Sequence, residues 1–201
     1  VERTAHKHSG ELTIRATRFI LIASTLVTSW LGMQAVHELG HVCGAWITGG
    51  RVARVVLYPL TFSRTDLAVN PHPLLVVWAG PMIGVLLPVS LWLIASAVRV
   101  PGAFVLRFFA GFCLVANGLY IAAGRFDRVG DCGQMLRYGS QPWQLWLFGA
   151  VATPLGLWLW HGQGRYFGLG KDARPISGSV AIGALVTSVV LMVFGFVVGG
   201  D

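Results

Sequence analysis

Apolar and polar residues separate along this chain into long blocks. Five blocks are apolar, at about 18–47, 74–98, 103–123, 143–160 and 177–198. The first has no charged residue between Phe19 and Val36. An uncharged apolar run of roughly 18 residues or more is long enough to cross a bilayer as a helix. The pattern predicts an all-α polytopic membrane protein of about five transmembrane helices. A polar tail over residues 1–17 precedes a membrane domain over 18–201. Between the first two blocks, Arg51–Thr65 is rich in β-branched and aromatic residues and is interrupted by Pro59. That composition predicts a short strand or hairpin rather than a helix. A free edge there would accept an extended peptide by strand addition; a plain connector is the alternative.

Composition agrees with a membrane setting. Hydrophobic residues make up 55% of the 201 and charged residues only 11%, where a soluble domain carries about a quarter charged. The 26 glycines suit close packing between transmembrane helices. The net charge of +7 raises the question of nucleic acid. The basic residues lie between the apolar blocks, however, and are read as facing anionic lipid head groups; no nucleic-acid partner is expected. Three cysteines, Cys43, Cys113 and Cys132, form no framework and are expected as free thiols. Tryptophans Trp143, Trp146, Trp158 and Trp160 sit towards both ends of the fourth block, as indoles do at membrane interfaces.

Chemistry enters at the end of the first block. Val36-His37-Glu38-Leu39-Gly40-His41 contains H-E-x-x-H. Histidines four apart share one helix face, so both imidazoles can converge on one metal ion. Zinc suits such a site, because it takes nitrogen and oxygen ligands and keeps one position open in catalytic centres. The metal lowers the pKa of its water, and Glu38 is placed to take the proton. Ionisable groups at membrane depth are costly and point by default to a functional site. The bland reading is a chance match, with the histidines as interfacial helix-end groups.

A zinc centre needs a third protein ligand. The candidates are Asp66, His72, Asp127, Asp131 and His161. His161 lies in a polar loop, and His72 lies between Pro71 and Pro73 in a turn. Asp127 is flanked by Phe126 and Arg128, which suits a surface ion pair. Asp131 follows Gly130 and precedes Cys132-Gly133, and glycines let the backbone bend so that a carboxylate can turn inward. Asp131 is favoured over Asp127.

These motifs resemble those of the site-2 protease family of intramembrane zinc metalloproteases. His37-Glu38-Leu39-Gly40-His41 is similar to the family's zinc helix, and Ala79-Gly80-Pro81 to the segment that opens its next core helix. Asn117, followed by an Asp-Gly-like element at Asp131, is similar to its third core helix. The third element departs from the pattern. No proline lies between Asn117 and Asp131, and Cys132 separates the aspartate from Gly133. The resemblance covers about 18–136, and the chain is most similar to small, divergent bacterial members. It implies a three-helix metalloprotease core and a multi-pass protein of the bacterial cell membrane. It also implies hydrolysis of transmembrane protein substrates, with one zinc on His37, His41 and Asp131 and with Glu38 activating the water. Asn117 would hydrogen-bond the substrate backbone or the developing oxyanion; an interhelical hydrogen bond is its other reading.

Two other functions are weighed. One is a non-proteolytic metal-binding scaffold of the same fold, motivated by the altered third element. The other is a small transporter, against which the polar groups cluster at one depth instead of tracking across the bilayer. Orientation is drawn two ways. Nine of the 15 Lys and Arg residues fall on the N-terminal side of five spans, which places that side in the cytoplasm. In larger members of the family the segment after the zinc helix is cytoplasmic, which implies the opposite.

Overall fold

The computed structural model describes residues 2–199, with side chains over 13–197 apart from those of residues 125 and 127. The elements run α1 Glu2–Ile47, β1 Arg51–Val56, β2 Arg64–Val69, α2 Pro73–Ala97, α3 Ala103–Asp127, α4 Gly130–Arg137, α5 Pro142–Trp160, a 3-10 turn Gln163–Phe167 and α6 Gly178–Gly199. α1 absorbs much of the predicted polar tail, so tail and first span form one unbroken helix.

Among the described residues, four helices are long and apolar enough to cross a membrane: Thr13–Ile47, Pro73–Ala97, Ala103–Gly124 and Gly178–Val197. The fourth apolar block is helical where expected, as α5. It is not among those four, because its tryptophans, Gln144 and Pro154 dilute its mean hydropathy. It nonetheless packs along α3. The two helices lie antiparallel, with Gly111 against Gly156 and Gly118 against Gly149. These glycines recur every seven residues on each helix, so backbone meets backbone along one seam.

The helices pack α6 on α1, α1 on α2, α2 on α3 and α3 on α5. Large side chains on the outer surface, such as Leu86, Val151 and Phe194, are exposed, as expected where lipid rather than water is the neighbour. One buried cluster joins Val77, Ile121, Cys132, Met135 and Leu145, tying α4 to three longer helices.

The segment after α1 is a hairpin. β1 and β2 pair antiparallel from Arg51↔Val69 to Val56↔Arg64, with two irregularities in register. From Ser63 into β2, Ser63, Thr65 and Leu67 are half-buried while Arg64, Asp66 and Ala68 are exposed. This alternation turns one face of the hairpin onto α1. α6 backs its turn: Gly195 lies against Pro59 and Leu57, and Phe196 meets Tyr58 edge to face at 5.1 Å.

The polar segment after α3 holds an element that the sequence did not reveal. α3 stops with Arg128 in the left-handed region at φ 53°, and Gly130 follows at φ 61°. The chain then reverses into α4, which lies back against the end of α3 with Cys132 on Gly124. This reversal brings Asp131, in the first turn of α4, towards α1.

Candidate metal centre

His37 and His41 lie one turn apart on α1, and both are buried, at 6% and 7% exposure. Asp131 reaches them from α4. One donor atom from each lies within 4.8 Å of the others. His37 Nε2 is 2.8 Å from Asp131 Oδ2, His41 Nε2 is 3.4 Å from Oδ1, and the two Nε2 atoms are 3.1 Å apart.

The tautomers follow from what surrounds the rings. A main-chain carbonyl only accepts, so His41 donates its Nδ1–H to the Val76 carbonyl, at 2.9 Å. Asn117 donates its Nδ2 to the Cys113 carbonyl at 2.9 Å, which fixes Oδ1 as the end facing His37. His37 therefore donates its Nδ1–H to Asn117 Oδ1, at 2.7 Å. Each neutral ring is then left with a lone pair on Nε2. Two such lone pairs and a carboxylate in contact repel one another. A positive charge belongs among them, carried either by protons on the imidazoles or by a metal cation. Histidines whose other nitrogen is held by an oxygen acceptor are typical of metal sites, because the acceptor sets the tautomer and the ring orientation. The nitrogen and carboxylate donors fit a divalent cation of the zinc type.

Asp131 is held in its ionised form. Burial alone would raise its carboxyl pKa, but with the imidazoles protonated at Nε2 their hydrogen bonds and positive charge outweigh that and hold it well below the usual carboxylate range. Its main-chain N–H donates to the Tyr120 hydroxyl at 3.1 Å, and the Tyr120 ring lies edge to face with His37 at 6.1 Å.

No protein-family model, curated protein or solved structure matches this chain. The reading of the centre therefore stands on its geometry.

Close helix approach makes that geometry accessible. A Cβ on Gly80 would run into the His41 ring, and one on Gly40 would run into the Ala79 carbonyl. Ala79-Gly80-Pro81 is thus the place where α2 comes against the histidine face of α1. Pro81 lies inside α2 and has no N–H to return to the Val77 carbonyl; the residue before, Val76, accepts from His41.

Glu38 faces the hairpin. It is 3% exposed, and Thr65 Oγ1 on β2 donates to its Oε2 at 2.7 Å. One turn earlier, Gln34 Oε1 accepts from the Ser63 main-chain N–H at 2.9 Å.

The structure thus brings His37, His41 and Asp131 together, with Glu38 beside them. Asn117 is adjacent, but both ends of its amide are engaged and it is 1% exposed. It holds His37 from behind and does not face an open site. Asp66 pairs with Arg64 at 3.2 Å on the exposed face of the hairpin. His72 precedes α2 and His161 follows α5, both exposed. The side chain of Asp127 lies outside the described residues. Gln34, Thr65 and Tyr120 were not singled out by sequence. The polar pair Gln34 and Glu38, four apart in an apolar helix, was the available signal for the first; the other two depend on long-range folding.

Proposed function

We propose that the protein is a multi-pass intramembrane zinc metalloprotease of the site-2-protease type, cutting peptide bonds of transmembrane proteins. The observation that carries the reading is the pair of tautomer-fixed imidazoles facing a carboxylate, with a buried glutamate alongside. His37, His41 and Asp131 would hold the ion. Bound there, zinc would polarise the scissile carbonyl and ease deprotonation of the attacking water.

Glu38 acts as general base through the oxygen that Thr65 does not engage. It takes a proton from the water as the new C–O bond forms, then gives it to the nitrogen as the C–N bond breaks. Asn117 holds the His37 ring. The helices around the site keep bulk water away, and the hairpin offers an extended edge to an unwound substrate segment.

Glu38→Gln tests this. Metal content should stay at one per chain while cleavage of a co-expressed membrane substrate falls by about 10²-fold or more. Retained cleavage would remove Glu38 from the mechanism. The second reading, a metal-binding membrane scaffold, draws on the nearly complete burial of Glu38 and its bond to Thr65. One tightly bound metal per chain without turnover of any membrane peptide would favour it.

A further inference from the structure

We propose that Thr65 is a positioning residue for Glu38, and that the hairpin serves as the arm that delivers its hydroxyl. This rests on the reading of Glu38 as general base.

A glutamate side chain has three rotatable torsions, and a base that wanders among rotamers is seldom aligned with the water it must deprotonate. Glu38 has one oxygen fixed by the Thr65 hydroxyl at 2.7 Å. Holding Oε2 leaves the other oxygen as the one that moves protons. Thr65 is suited to the task, because a β-branched side chain is stiff about χ1. The donor also arrives on a stiff support. β2 pairs with β1, and its half-buried residues face α1. A second bond, from the Ser63 N–H to Gln34, fixes the strand one helical turn away. The two bonds differ in kind. Ser63 to Gln34 only docks the hairpin, whereas Thr65 to Glu38 reaches the group that does the chemistry. A valine at 65 would keep the shape and lose the donor.

The test compares Thr65→Val, Thr65→Ser and Gln34→Leu in the full chain, purified in detergent. The first readout is the infrared carboxylate band of Glu38 in metal-free protein, identified as the band lost in Glu38→Gln. It should shift in Thr65→Val and stay in place in Thr65→Ser and Gln34→Leu. The second readout is peptide-bond cleavage by the zinc-loaded protein. In Thr65→Val, kcat should fall by about tenfold to a hundredfold with KM within about twofold and metal content unchanged, and serine, which keeps the donor without the β-branch, should restore most of it. Gln34→Leu should raise KM and spare kcat. An unmoved Glu38 band in Thr65→Val would overturn the proposal, as would equal losses of kcat in Thr65→Val and Gln34→Leu, since either makes Thr65 a docking contact only. If wild type cleaves nothing, the protease reading fails, and the infrared comparison still decides whether Thr65 orders Glu38.

Discussion

The hydrogen bond from His37 Nδ1 to Asn117 Oδ1, 2.7 Å long, decides which nitrogen of His37 faces His41 and Asp131. Asn117 is in turn fixed by its own bond to the Cys113 carbonyl. α3 therefore sets the tautomer of a histidine that belongs to α1. Asn117→Leu should leave Nε2 in place less often and weaken zinc binding by about 10- to 100-fold. Asn117→Asp keeps an acceptor for Nδ1–H and should retain most of the affinity. Competition with a chromophoric chelator measures both.

Zinc should stabilise the folded protein, because the donors converge only there. At a free zinc concentration about 100 times the dissociation constant, the gain is about 2.7 kcal/mol, seen as a rise in thermal midpoint in detergent. His41→Ala and Asp131→Ala should abolish the rise, and chelation should reverse it in wild type. Asp127→Ala should leave it intact.

The contact between α1 and α2 has no room for a methyl group. Gly80→Ala places a Cβ against the His41 ring, and Gly40→Ala places one against the Ala79 carbonyl. Overpacking of this kind costs about 1–3 kcal/mol. Both variants should unfold at lower denaturant and lose zinc affinity, Gly40→Ala through helix separation and Gly80→Ala through the ring itself. Zinc affinity unchanged in Gly80→Ala would separate the glycine from the centre.

Burial, with the charge of Asp131 adding to it, pushes the Cys132 thiol up to about 12. At pH 8 the group is thus protonated, and the thiolate that attacks alkylating agents is nearly absent. Native protein treated with iodoacetamide at pH 8 should remain unmodified at Cys132, and denatured protein should react there. Mass spectrometry of the peptide containing Cys132 reads the result.

Much of this arrangement was legible in the residues. Four-residue spacing places His37 and His41 on one face whatever the tertiary structure, and long uncharged runs dictate helices. The strand character of 51–65 was visible in its β-branched residues. α4 was not, because Gly130, Asp131 and Gly133 read as turn formers. What makes them helical is the burial of Cys132 and Met135 against Val77, Ile121 and Leu145, a long-range effect. The role of Asn117 escaped for a similar reason: whether an amide faces a substrate or braces an imidazole depends on its neighbours. Thr65 escaped because nothing local says that a hairpin will fold back onto the helix before it.

The support that α6 gives the hairpin has a consequence for the far end of the chain. Gly195 and Phe196 prop Pro59 and Tyr58, yet none of these residues belongs to the His37, His41 and Asp131 group. A version cut short before residue 190 would still titrate with one equivalent of zinc. Its hairpin, without a buttress, would be held to the helix beneath it only through Gln34 and Glu38 and would sit less firmly there. Under the proposed function, metal assays would score such a protein as whole, and only a cleavage assay would reveal the injury.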